Sequence, residues 1–166
     1  MSNTILRTAT LIGATLTMGF AAGAFAIFAH TIMPGLHKTD DRTFVAAFQA
    51  IDRAIINPWF MTTAFAGALV LTLTAAITNR GTPALPWIAA ALGLYLVAAI
   101  VTVAVNVPLN DALKAGGDPN HIDVHQVRAQ FHEARWAAWN LFRVATTTAG
   151  FGLLTWALVL LGRSTS

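Results

Sequence analysis

The side chains in this chain best suited to chemistry are three histidines (His121, His125, His132), Arg143, and four asparagines (Asn57, Asn106, Asn110, Asn140). Imidazole titrates near neutrality, which makes His132 a candidate general base. A fixed guanidinium at Arg143 can balance negative charge developing on a bound molecule, while the asparagines can donate hydrogen bonds to its oxygens, with Asn140 placed nearest to Arg143 in sequence. Trp59, Trp136 and Trp139 offer flat faces for aromatic rings. Another chemistry is open to the histidines. On an unbroken helix, His121, His125 and His132 share one face and could present imidazoles to a transition metal or haem, with His30 as a ligand from elsewhere. Pairs at i, i+4 also arise by chance, and no carboxylate or cysteine joins them in an HExxH-type signature.

Whatever holds these groups is very apolar. Of 166 residues, 56% are hydrophobic and 10% charged, with a mean hydropathy of +0.63. A soluble domain could hardly cover that much apolar surface. Four stretches without a charge, Thr8 to Ala29, Ala54 to Asn79, Gly81 to Asn110 and Val144 to Gly162, each reach the length of a spanning helix. Long continuous runs suit helices rather than the alternation of a barrel. The expected fold is therefore all-α, an integral-membrane four-helix up-down-up-down bundle forming one domain over residues 1–166. The spans are expected at about 8–33, 57–78, 84–107 and 138–161. Arg7 ahead of an apolar run with Ala24-Phe25-Ala26 resembles a signal peptide, but the run is too long for one and reads as a retained first helix.

The net charge of +3 comes from scattered basic residues, with no cluster to follow a phosphate backbone, so nucleic acid is not an expected partner. Without cysteine there is no disulfide, thiolate nucleophile or iron–sulfur cluster. The expected partners are the lipid bilayer and a hydrophobic aromatic small molecule. Gly19-xxx-Gly23 is a possible seam for a homo-oligomer, although such pairs more often pack neighbours within one bundle.

Pro34-Gly35 should stop the first helix, Asn57-Pro58 should cap and start the second, and Pro108 should disrupt the third near its end. Asp118-Pro119 reads as the cap of an extra helical segment that runs through Trp136 into the fourth span. Antiparallel order then brings His30, His37, Asn57, Asn106, Asn110, Asn140, Arg143 and the three later histidines to one end of the bundle. At about 100° per residue, His121, His125, His132, Trp139 and Arg143 form one stripe, with Arg128 beside it. Facing lipid, that stripe would be costly, so it is expected to face inward. Snorkelling of Arg143 and an interfacial belt containing Trp139 give the blander account.

In order and spacing, "IMPGL", "FQAIDRAIINPWF", "NVPLNDAL" and "WAAWNLFR" resemble the anthrone oxygenase-like family, small four-helix membrane proteins whose bacterial members are mostly of unknown function. The resemblance covers nearly the whole chain. It departs at Asp52, where asparagine is expected, while His121 and His125 fall in a segment the family leaves variable. What it implies is a membrane monooxygenase that oxidises an anthrone-like, phenolic aromatic with dioxygen and requires no bound organic cofactor. His132, Arg143 and Asn140 would act in the reaction, and Asn57, Trp59, Asn106, Asn110, Trp136 and Trp139 would hold the substrate. The alternatives are a haem- or metal-binding redox protein using His121, His125 and His132, and a non-enzymatic small-molecule binder or accessory subunit. The expected location is the bacterial cytoplasmic membrane, with the balance of charges leaning toward cytoplasmic termini.

Overall fold

A computed structural model describes residues 2–165, and among these all regular structure is helical. Four helices are long and apolar enough to cross a membrane: Thr4–His37, Pro58–Thr78, Leu85–Ala115 and Val124–Ser164, the last containing a break. The chain is an integral membrane protein. Each spanning helix packs against its two neighbours, so the first touches the second and fourth, and the third closes the ring between them. Small side chains at the centre, among them Ala14, Ala68, Ala75, Ala91 and Ala157, let the helices approach closely around Leu11, Met18, Ile88, Tyr95 and Leu154. Gly19 serves the same purpose. A Cβ there would meet the Phe151 ring of the fourth helix at 3.1 Å, while one at Gly23 would meet nothing within 4 Å.

Neither proline ends its helix. The first span continues past Pro34 to His37 and the third past Pro108 to Ala115, each through a π turn just upstream, at Phe28–Ile32 and Thr102–Asn106. A widened turn relieves the clash between a proline ring and the preceding turn, and the amide that proline lacks is not required there. The second span carries a third π turn, Met61–Phe65, soon after the Asn57 cap, whose Oδ1 accepts from the Phe60 amide at 2.9 Å as expected. The residues two places beyond the three turns are Pro34, Gly67 and Pro108. Gly67 is demanded by space, since a Cβ would lie 2.4 Å from the Thr62 carbonyl oxygen.

The polar end differs from the sequence expectations in two places. Residues 41–55, to which the sequence assigns no element, form the helix Asp41–Ile55, capped by Asp40 accepting from the Thr43 amide at 3.1 Å. Its inward face is Phe44, Val45, Phe48, Gln49 and Asp52, an amphipathic spacing that lays it across the end of the bundle against Leu113, Phe131 and Trp136. The lead-in to the fourth span is also not one helix. Asp118 binds its own turn at the Asn120 amide, a short helix Val124–Phe131 starts from the Asp123 cap, and His132 adopts left-handed φ 51°, ψ 57° before the long helix Glu133–Thr165. The break dissolves the expected stripe of His121, His125, His132, Trp139 and Arg143. Its purpose is visible in Arg128, which reaches Asp41 at 3.0 Å, Glu133 at 3.3 Å and the carbonyl oxygens of Thr39 and His37, over the face of Phe44. His125 completes the clasp on Asp41 and His37 on Glu133.

Candidate functional site

The three π turns lie at the same end of the bundle, around a cavity of about 300 Å³. All four spanning helices and the crossing helix line it. Its walls are mainly aromatic and aliphatic, with Phe25 and Phe28 from the first helix, Phe60 and Phe65 from the second, Trp136 from the fourth and Phe48 from the crossing helix. Ile56, Met61, Val103 and Val107 also line it and are exposed on the lipid-facing surface, so the cavity reaches the outside of the bundle between the second and third helices. Its polar side chains are few: Asp52, Thr102, Asn110, Asn140 and Arg143.

Arg143 governs the site. It is only 4% exposed, and no carboxylate pairs with it among the described residues. One terminal nitrogen donates to Thr102 Oγ1 at 3.1 Å and the other to Asn140 Oδ1 at 2.8 Å, while Nε has no hydrogen-bond partner among the described residues. The guanidinium lies 4.3 Å from the centre of the Phe25 ring and 5.6 Å from that of Trp136. Asn140 is fixed in turn by donating to the Phe25 carbonyl at 3.0 Å, just ahead of the π turn in the first helix. The cost of inserting an arginine in the membrane is about 3 kcal/mol even on the mildest scales, and an unpaired buried cation is unfavourable for its surroundings. This is an anion-seeking site in a greasy wall.

A second polar chain meets the cavity from the other side. Trp136 Nε1 donates to Asn110 Oδ1 at 2.7 Å, and Asn110 Nδ2 donates to Asp52 Oδ1 at 2.6 Å. Lys114 Nζ sits 2.7 Å from Asp52 Oδ2 and 3.0 Å from the exposed carboxylate of Asp111. Asn106 stands behind this wall, buried, donating to the Trp136 carbonyl oxygen at 3.3 Å.

Of the residues singled out from sequence, Asn110, Trp136, Asn140 and Arg143 meet at the cavity. The others lie apart. Asn57 is a helix cap, Trp59 is exposed against Phe20, and Trp139 is exposed with its ring edge-on to Phe142. His132 is exposed at the helix break, His121 rests on Asp118, His125 on Asp41, and His30 accepts from or donates to its neighbour Thr31. Among the described residues no three His, Asp or Glu side chains converge as a metal site would require. The sequence marks Asp52 only as a departure from the family pattern, and the phenylalanines of the wall are not among the residues it singles out. Their signal was the spacing Phe44, Phe48, Asp52, which places a carboxylate in register with two buried rings.

A family model described as Anthrone oxygenase matches residues 48–153. The chain belongs to the anthrone oxygenase family. The match takes in every cavity residue except those of the first helix, so the anthrone oxygenase region and the walls of the cavity are largely the same stretch of chain. No curated protein and no solved structure matches the chain.

Proposed function

We propose that this membrane protein oxidises an anthrone-like phenolic aromatic with dioxygen, and that the reaction takes place in the cavity beside Arg143. The observation that carries the reading is a buried guanidinium, without a counter-charge among the described residues, on the wall of an aromatic-lined cavity that reaches the lipid-facing surface. A cavity of about 300 Å³ is at the lower end of small-molecule sites, a size suited to a flat polycyclic guest. Membership of the anthrone oxygenase family supports the reaction class.

The chemistry asks little of the protein beyond charge and position. Loss of a proton from the methylene between two rings leaves an anion delocalised onto the carbonyl oxygen, and such an anion reduces dioxygen directly. One oxygen atom ends in the new carbonyl and the other leaves as water. Arg143 stabilises the anion as it forms, in surroundings where water does not screen the charge. Asn140 and Thr102 hold the guanidinium in place, and Phe28, Phe48 and Trp136 flank the rings. No bound organic cofactor is needed in this scheme. The haem or metal alternative gains no support from the histidines, which are scattered over the surface on separate partners. We place the protein in the bacterial cytoplasmic membrane.

The test is oxygen uptake by detergent-purified protein supplied with a dihydroxyanthrone, with quinone formation followed by absorbance. The wild type should consume one dioxygen per quinone above the protein-free rate. Arg143→Ala should lower the rate by about 100-fold or more. A wild type no faster than empty micelles would refute the oxygenase reading, and saturable guest binding without uptake would leave the cavity to a binder.

A further inference from the structure

The scheme above needs a proton acceptor at the substrate carbon, and His132 lies outside the cavity. Resting on the oxygenase reading, we infer that Asp52 is that acceptor in this chain, a role particular to it, since asparagine is expected at this position in its relatives. Asp52 is the carboxylate among the residues that line the cavity, and no histidine lines it. Its side chain is 8% exposed and set in a wall of phenylalanine, isoleucine and tryptophan, a place where a carboxylate is costly unless it is paired and used.

The carboxylate is held in place. Asn110 donates to Oδ1 and Lys114 pairs with the fully buried Oδ2, so Oδ1, which can accept a second hydrogen bond, is the oxygen left to take a proton. The charged groups around it come from three elements. Lys114 and Asp111 stand on the extension of the third helix, Arg143 lines the same cavity from the fourth, and on the crossing helix itself Arg53 is engaged with Gln49. An aspartate suffices to take a proton next to a carbonyl when the resulting oxyanion is stabilised elsewhere in the site, and here Arg143 supplies that stabilisation.

Asp52 accepts a proton as the C–H bond breaks, and the electron pair stays in the ring system. Dioxygen takes one electron from the anion, and the radical pair combines into a peroxide anion, which takes the proton back from Asp52. Asp52 then removes the second proton from the same carbon, the O–O bond breaks to form the ketone, and the departing hydroxide takes that proton to leave as water. Asp52 ends the cycle as it began, a carboxylate.

The isosteric Asp52→Asn variant tests this. At neutral pH its kcat should fall by about 100-fold or more, the usual worth of a positioned base. Binding of a dihydroxyanthraquinone, followed by quenching of tryptophan fluorescence, should stay near the wild-type value. Raising the pH until the free anthrone ionises should restore most of the lost rate over the protein-free background, because the substrate then arrives already deprotonated. Arg143→Ala should gain no such recovery. If the asparagine variant does not fold, Asp52→Ala with added formate replaces it, the small carboxylate restoring turnover. Wild-type kcat in Asp52→Asn at neutral pH, or intact guest binding without alkaline recovery, would overturn the assignment of Asp52. A wild type that never takes up oxygen would instead sink the oxygenase reading.

Discussion

Arg143 is held by hydrogen bonds and ring faces rather than by a carboxylate, an arrangement that favours a bound anion more than it favours the fold. Replacing a buried, incompletely partnered charge with an apolar side chain of similar length is often neutral or stabilising. Arg143→Met should therefore unfold in detergent at the same temperature as the wild type or higher, while losing anthrone oxidation; a large fall in Tm would show that the guanidinium is structural. Residue types at this scale were readable where one position forced the issue. An arginine near the start of a lipid-crossing run must find a protein interior or a headgroup, and Asn140 and Trp136, three and seven residues before it, share its face of the helix by spacing. His132 misled because its geometry presumed a continuous helix. A left-handed histidine has no sequence marker of the kind that glycine provides.

Among the elements, the three π turns define the site more than any single side chain. They were hidden in the sequence because a π turn has no composition of its own, and the prolines that accompany two of them usually signal an end rather than a detour. Gly67→Ala tests the second turn. Its new Cβ would press on the Thr62 carbonyl oxygen, which belongs to backbone and cannot swing aside. The expected cost is about 1–3 kcal/mol, seen as a lower Tm together with reduced guest binding. Gly152→Ala, where nothing lies within 4 Å, should leave both unchanged. The crossing helix Asp41–Ile55 is not legible as a charge-free run because it is amphipathic and lies at the membrane surface with charged residues on its outer face. It is tied down at Asp41, whose carboxyl is held below its ordinary value of 3.8 by His125 first and Arg128 after it. A depressed carboxyl stabilises the fold above its unfolded value and loses that contribution as pH falls through the folded value. Asp41→Asn should thus lower Tm slightly at neutral pH, and the gap from wild type should close once the pH drops below 3.8. A gap that persists in acid would mean that the clasp works by packing alone.

For the whole molecule, the fold class was plain from the sequence, because four charge-free runs of this length leave a chain few other ways to satisfy its backbone in lipid. The placement of aromatic residues adds the thickness. Exposed Trp139 and Trp156 stand on the fourth helix 17 residues apart, about 25 Å along its axis. Trp59 accompanies the first of these at the cavity end, and Trp87 packs edge-on against Trp156 at the other, so the exposed indoles form two belts near the depths where lipid headgroups begin. In vesicles carrying bromine near the headgroup, Trp59, Trp87, Trp139 and Trp156 should each be quenched when present as the single tryptophan, and buried Trp136 should be spared. Strong quenching of Trp136 would contradict its packing against Phe28 and Phe48.

The exposed rim of Ile56, Met61, Val103 and Val107 has a kinetic consequence. A guest that enters through it is never dissolved in the aqueous phase on the way, so the quantity that sets turnover is its mole fraction in the surrounding amphiphile, as for lipases and other enzymes that follow surface dilution. Adding plain detergent to a fixed amount of reagent and protein would slow such a catalyst without inhibiting it.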